Sequence, residues 1–161
     1  MAPPAIRKQQ GPDMIVSFLK LAIPPSKTHT VVATVRGGRT RISAGSRSEL
    51  LQKFAQNIFV QEGRYRPVSV NIAPDRTLAP DCVRYDWTVE DRGVPGYPGS
   101  IFILDMHGFV CLHPDFLPDG VIDISYSQRR LQEEPPLSLE AEGEPFVKSL
   151  LFNRLPGRSS P

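Results

Sequence analysis

The sequence has few of the features that mark specialised classes of protein. Two cysteines among 161 residues are too few for a disulfide-dense mini-protein. The 19 Lys and Arg residues nearly balance the 17 Asp and Glu residues, so net charge gives no general attraction to nucleic acid or to membranes. No apolar run approaches the roughly 18 residues that a membrane span needs, and no collagen or heptad repeat is present. These absences favour one globular domain of ordinary size, and we expect no nucleic-acid partner.

Proline is the residue in excess, with 17 in the chain and five in the first 25 residues. Proline fixes the backbone and lacks an N–H donor, so each one marks a break between elements. We expect residues 1–27 to be a flexible or partly docked leader, 28–152 a single α+β domain, and 153–161 a loose tail. The polar start lacks the apolar core of a secretory signal. The protein is therefore either cytoplasmic, or extracytoplasmic with a leader that has been removed.

Local patterns predict the outer elements. TVVATVR at 30–36 followed by Gly37 and Gly38 is typical of a β-hairpin that returns over 39–43. Ser46 and Glu49 form a capping box in front of an apolar stripe, which predicts a helix that stops before Gly63. The stripe consists of Leu50, Leu51, Phe54, Ala55, Ile58 and Phe59. A strand follows between Pro67 and Pro74.

The last third of the chain predicts a strand over 121–127 and a closing helix over 138–152. Ile122, Ile124 and Tyr126 are expected on the core side of that strand. Pro145 should kink the helix or serve as its first residue. The element order predicts an α+β fold in which helices pack on one face of an antiparallel sheet.

Two alternating segments, 82–90 and 101–113, predict a central hairpin. A shift of one residue would turn a whole strand over, so only registers that keep like faces together are acceptable. Pairing positions whose numbers sum to 193 does so, although neighbouring even shifts also would. The pairs are Val83 with Val110, Trp87 with Met106, Val89 with Leu104, Tyr85 with Gly108, Asp86 with His107, and Cys82 with Cys111. The two cysteines are then a disulfide, two reduced thiols or a pair of metal ligands.

Four blocks of sequence resemble a family of small, uncharacterised bacterial exported proteins, many of which carry lipoprotein leaders. They are EDRGVPG at 90–96, CLHPD at 111–115, ISYSQR at 124–129 and EGEPFVKSL at 142–150. The element order resembles the PsbP-like fold, whose members are mostly accessory or binding proteins outside the cytoplasm. The resemblance covers about residues 65–152. It implies export, a membrane association only through a removed lipid-anchored leader, and a role without catalysis.

The leading hypothesis is a non-catalytic, extracytoplasmic accessory or protein-interaction module with no cofactor. Its predicted contact surfaces are the loop 93–100, which carries Val94 and Tyr97, and the sheet face with Asp86 and His107. A stiff loop that presents a tyrosine loses little entropy on binding. No G-x-S-x-G elbow or other catalytic motif accompanies the histidines.

Two alternatives stay open at this point. Imidazole and thiolate are ligands of zinc and copper, so His107, Cys111 and His113 on one strand face are candidates for a metal site. Neighbours on one face of a strand are about 7 Å apart, so a single ion would need a bend or a bulge there. An immunity or inhibitor protein against a bacterial toxin would have the same sequence features as an interaction module.

Overall fold

The structure, a computed structural model, describes residues 5–9, 14–20, 26–58, 63–150 and 152. Seven strands form one antiparallel sheet in the order β1-β2-β3-β7-β6-β5-β4. They are β1 Ala5–Gln9, β2 Met14–Lys20, β3 Thr30–Arg39, β4 Tyr65–Pro74, β5 Cys82–Asp91, β6 Phe102–Leu112 and β7 Gly120–Leu131. The helices are α1 Arg47–Gln56 and α2 Glu140–Lys148, with a 3-10 turn at Pro114–Phe116. The predicted antiparallel sheet with helices is confirmed, and more residues lie in strands than in helices.

Side chains alternate between the two faces of this sheet. We call the face that carries Trp87 the Trp87 face, and the face that carries His107 the His107 face. Helix α1 packs on the Trp87 face, where Trp87 Nε1 donates a hydrogen bond to the carbonyl of Ala55 at 3.2 Å. Helix α2 packs on the His107 face, where Val147 joins a cluster with Phe109 and Tyr126. The sheet is therefore covered on both sides.

The prediction that the helices share one face is wrong. Ile124 and Tyr126 are buried, as the alternation of their strand predicts, and they project from β7 into the His107-face cluster, where they meet α2. The apolar residues on the Trp87 face form a separate cluster under α1. Two faces with buried apolar side chains each need a cover, because an uncovered one would leave apolar surface in water.

The central hairpin has the predicted register. Every described pair of β5 and β6 sums to 193, from Cys82 opposite Cys111 to Asp91 opposite Phe102. Tyr85 lies opposite Gly108, and a Cβ at position 108 would lie 2.6 Å from the Tyr85 hydroxyl oxygen. The missing side chain makes room for the tyrosine, which explains why this register fits.

The predicted hairpin at Gly37 and Gly38 is wrong. Strand β3 runs through both glycines and ends at Arg39. Gly37 lies opposite Ile122 and Gly38 opposite Val121, so β7 supplies the partner that the hairpin prediction assigned to residues 39–43. Residues 5–9 and 14–20 of the predicted leader form β1 and β2, and β2 pairs with β3. The predicted tail 153–161 lies outside the described residues.

Helix α1 begins as the capping box predicts. Ser46 Oγ accepts a hydrogen bond from the Glu49 amide at 3.1 Å, which satisfies one of the free donors of the first turn. The helix ends at Gln56, well before Gly63. Phe59, the last residue of the predicted stripe, lies outside the described residues. Within the part of the chain that the structure describes, neither helix is long and apolar enough to cross a membrane.

Helix α2 is shorter than predicted, and Pro145 lies inside it, not at its first position. At the opposite edge of the sheet, β4 includes both prolines that were expected to bracket it. Pro67 and Pro74 are tolerated there because an edge strand leaves one side of its backbone unpaired. A bulge at Val68 adds to the irregularity of this edge.

Candidate functional site

A disulfide joins Cys82 of β5 to Cys111 of β6, with an S–S distance of 2.03 Å. Both cysteines are buried, in the cluster that α2 covers. The predicted pairing is confirmed. In this oxidised state Cys111 has no thiolate to offer to a metal ion or to a substrate.

His107 lies on the same face, and two contacts fix its ring. Its Nδ1 lies 2.6 Å from Asp86 Oδ1 across the β5–β6 pair, as the register predicts. Its ring stacks on that of Tyr126 in β7, with the ring centroids 5.2 Å apart. A hydrogen bond at Nδ1 fixes the orientation of the imidazole and leaves Nε2 as the nitrogen that faces other groups.

A pocket of about 320 Å³ lies beside His107, between the His107 face and the chain that leads into α2. We call it the His107 pocket. Strands β5, β6 and β7 form its floor, and residues 137–144 form its opposite wall. Its lining residues are Arg84, Asp86, His107, Tyr126, Gln128, Leu137, Ser138, Leu139, Glu140 and Glu144. The structure therefore places both predicted residues of the sheet face, Asp86 and His107, in one concave site.

Hydrogen bonds from Gln128 hold the wall of the pocket in place. Its side-chain amide nitrogen donates to the carbonyl of Leu137 at 3.0 Å, and its Oε1 accepts from the Leu137 amide at 2.9 Å. The same Oε1 lies 2.9 Å from Nε2 of the buried His29. The wall segment is thereby fixed to β7 through its backbone, so the pocket is formed before any ligand arrives.

Charges of both signs line the pocket. Arg84 Nη2 lies 3.2 Å from Glu144 Oε1, and Arg84 Nε lies 3.7 Å from Asp86 Oδ2. Lys148 pairs with the other oxygen of Glu144 at 3.0 Å. Hydrogen bonds from Lys148 lower the pKa of Glu144 against the opposing effect of its partial burial, and the charge of Arg84 adds to the lowering. Glu140 has no ion pair among the described residues.

Tyr126 is the largest group in the floor of the pocket, and it is only 5% exposed. Helix α2 lies directly on its ring at Gly143, where a Cβ atom would collide with the ring carbons. Burial raises the pKa of Tyr126, and the negative charge of Glu144 raises it further, so the hydroxyl is neutral at ordinary pH. Within the described residues the hydroxyl has no hydrogen-bond partner.

Sequence reasoning missed the contributions of Tyr126, Arg84, Glu140 and Glu144 to this site. The position of Tyr126 could have been predicted from strand pairing, because Tyr126 lies opposite His107 and on the same face once β6 and β7 are paired. For the two glutamates the sequence holds no such signal, because their place depends on where α2 lies.

His113 is separate from the pocket. Its Nδ1 accepts a hydrogen bond from the Asp115 amide at 3.1 Å and so caps the 3-10 turn. Its ring also lies against Phe116 and Phe152. Within the described ranges, no group of three His, Cys, Asp or Glu residues is placed to hold a metal ion. The proposed set of His107, Cys111 and His113 therefore lacks a thiolate and a common centre.

The loop 93–100 does not join the pocket. Tyr97 is 41% exposed and packs edge-on against Phe102, with ring centroids 5.3 Å apart. Phe102 projects from β6 toward the Trp87 face, whereas His107 projects from the same strand toward the opposite face. The Tyr97 amide donates to the carbonyl of Val94 at 3.2 Å, which makes the loop a tight turn. The two predicted contact surfaces are therefore two separate places on the molecule.

No known protein family, curated protein or solved structure matches this chain. The resemblance to exported, PsbP-like proteins stays a prediction.

Proposed function

We propose that the protein is a non-catalytic binding module that captures one side chain of a partner protein in the His107 pocket. The observation that carries this proposal is the fixed geometry of the pocket. His107 is held by Asp86 and Tyr126, and the facing wall is held by Gln128. A site whose groups are already ordered loses little conformational entropy on binding.

The size of the pocket supports a side chain as its occupant. Sites for small molecules and cofactors have volumes of roughly 300–1,000 Å³. At about 320 Å³ the His107 pocket is at the lower limit of this range, which suits a single side chain better than a large cofactor. Among the described residues, no hydroxyl or thiol is hydrogen-bonded to His107, so the histidine has no nucleophile to activate.

The disulfide supports an oxidising compartment as the place of action. Such bonds persist in secreted and periplasmic proteins and are rare in the cytosol. An extracytoplasmic module with a PsbP-like architecture and a removed leader is the form of the proposal that agrees with the sequence resemblance. Val94 and Tyr97 of the loop would then be a second, independent contact with the partner.

Site-specific photo-crosslinking in the native host tests the proposal. A benzoylphenylalanine replaces Leu137, which is 39% exposed on the pocket wall, and a control chain carries it at the exposed Gln132 outside the pocket. We expect one defined protein adduct from position 137 that is absent from position 132. The adduct should disappear when His107→Ala is added and persist when Tyr97→Ala is added.

Equal adducts from positions 137 and 132, or an adduct that His107→Ala leaves unchanged, would contradict a role for the pocket. An adduct that is lost with Tyr97→Ala alone would show that the partner contacts the loop 93–100 and not the pocket. Far-ultraviolet circular dichroism of each purified variant controls for folding.

A further inference from the structure

The charges in the His107 pocket do not cancel within it. Three carboxylates line it, from Asp86, Glu140 and Glu144, and among the described lining residues the only permanent cation is Arg84. The Arg84 guanidinium lies between Asp86 and Glu144 and stacks over the Phe109 ring at 5.9 Å, so it is already engaged. Glu140 is exposed and has no ion pair within the described residues. The uncompensated charge that a ligand meets is therefore negative.

Tyr126 supplies a second polar group to the pocket. The residue is only 5% exposed, and its hydroxyl has no hydrogen-bond partner among the described residues. Among the described residues, the side-chain atoms that are fully buried without a partner are Arg129 Nε and Arg130 Nε, so the Tyr126 hydroxyl is not one of them and stays accessible. Tyr126 lines the pocket, and its hydroxyl oxygen can accept a hydrogen bond from an N–H group placed there.

The wall of the pocket adds an apolar component. Leu137 is one of the few large apolar side chains with high exposure in the described structure, at 39%. Leu139 follows it in the same wall. Lysine and arginine cover apolar surface with their alkyl stems while their charged ends remain in a polar setting. The leucines of the wall offer apolar surface to such a stem, and the neighbouring carboxylate and hydroxyl offer polar groups to its charged end.

We infer that the His107 pocket selects a cationic side chain, with the Glu140 carboxylate paired to the ammonium or guanidinium group, the Tyr126 hydroxyl accepting one of its hydrogen bonds, and Leu137 contacting the stem. This inference rests on the proposed function and names the chemistry of the captured side chain. A charge-assisted hydrogen bond is roughly twice as strong as a neutral one, so the cation supplies most of the selectivity.

An NMR titration of the full-length oxidised protein tests the inference with three capped amino acids. The probes are N-acetyl-lysine methylamide, its neutral counterpart N-acetyl-norleucine methylamide, and N-acetyl-glutamate methylamide. We expect the lysine probe to give saturable shifts of the amides of Tyr126, Leu137 and Glu140. The norleucine probe, which keeps the stem and lacks the charge, should bind about tenfold more weakly.

Two variants assign the contacts. Glu140→Gln removes the charge with little change of shape and should weaken the lysine probe about five- to tenfold. Tyr126→Phe removes only the hydroxyl and should weaken it by a smaller factor. Glu133→Gln, at an exposed glutamate outside the pocket, is the matched control and should leave the affinity unchanged.

The outcomes separate this inference from the proposed function. Equal affinity for lysine and norleucine probes, or tighter binding of the glutamate probe, would overturn the selection of a cation while a crosslink from position 137 still supported the binding module. Free L-lysine that binds at least tenfold more tightly than the capped probe would assign the pocket to a small molecule and overturn a partner side chain as occupant. Unchanged affinity in both Glu140→Gln and Tyr126→Phe would overturn the assigned contacts.

Discussion

The two faces of the sheet differ in how their buried tyrosines are bonded. On the Trp87 face, Tyr85 and Asp123 are bonded to each other, although Arg129 Nε is buried there without a partner among the described residues. The Tyr85 hydroxyl donates to Asp123 Oδ1 at 2.6 Å, and Arg36 Nε donates to Asp123 Oδ2 at 2.8 Å. On the His107 face, Tyr126 lines a pocket and its hydroxyl has no hydrogen-bond partner in the described part of the chain, and Glu140 of the same pocket has no ion pair there.

Burial has different consequences on the two faces. Burial and the nearby Asp123 carboxylate raise the pKa of Tyr85 well above its ordinary value, so this residue acts only as a neutral donor. Asp91 is buried as well, and hydrogen bonds from Arg64 lower its pKa although burial alone would raise it. A buried polar group stabilises a fold only when it is paired. The bonded Tyr85 hydroxyl therefore contributes to stability on the Trp87 face, whereas the Tyr126 hydroxyl on the His107 face stays available for a ligand.

The largest expected effect is the removal of Asp123. Asp123→Ala leaves the buried Tyr85 hydroxyl without its acceptor, and it also removes the partner of the Arg36 guanidinium, whose side chain is 40% exposed. A buried donor left without its acceptor costs about 1–3 kcal/mol and the loss of a hydrogen bond to a charged group about 1.5–3 kcal/mol, so we expect a loss of roughly 3–5 kcal/mol in the free energy of unfolding. Urea denaturation followed by tryptophan fluorescence measures it, since Trp87 lies on the same face.

Asp119→Ala is the matched control for this substitution. Asp119 also pairs with an arginine of β3, because Arg39 Nη1 lies 2.7 Å from its Oδ1, but both side chains are substantially exposed. Exposed pairs contribute at most about 1 kcal/mol. Equal losses in the two variants would contradict the view that the Trp87 face depends on buried pairing.

The next largest effect concerns the bond that closes the His107 face. Replacing both Cys82 and Cys111 by Ala opens a loop with a sequence separation of 29 residues. We expect the free energy of unfolding to fall by about 3–4 kcal/mol, since the unfolded chain regains the entropy that the cross-link removes. Denaturation of the oxidised wild type and of the double variant measures the difference.

A reductant provides the control for the disulfide. Tris(2-carboxyethyl)phosphine should lower the stability of the wild type under denaturing conditions and leave the double variant unchanged. Alkylation before reduction should add no label to protein taken from its native compartment. Two labels at that stage would contradict both the disulfide in the cell and the oxidising compartment.

Sequence patterns predict the central hairpin because the alternation that defines its two strands can be read within each short segment. Segments 82–90 and 101–113 alternate cleanly, and Gly108 leaves space only where Tyr85 needs it. The register then fixes two elements of the site, the disulfide and the contact of His107 with Asp86. These follow from one strand pair, which a single alternating pattern can specify.

The remaining features depend on partners that are distant in sequence. Gly37 and Gly38 have the composition of a turn, yet β7 pairs with them from more than 80 positions away and keeps them extended. The pocket requires β7 beside β6 and the segment 137–144 across the face, and no local pattern encodes either placement. For the same reason the sequence could not tell that α1 and α2 lie on opposite faces.

The smallest expected effect separates the two faces with one chemical change. Tyr85→Phe and Tyr126→Phe each remove a hydroxyl from a tyrosine that is at least 95% buried, since the exposed fractions are 0% and 5%. The first leaves Asp123 Oδ1 without its donor and should cost about 1–3 kcal/mol. The second removes a group without a described partner and should change the free energy of unfolding by less than about 0.5 kcal/mol. Parallel urea titrations of both variants measure this, and equal costs would show that the Tyr126 hydroxyl is paired in solution and that the pocket is not open to a ligand.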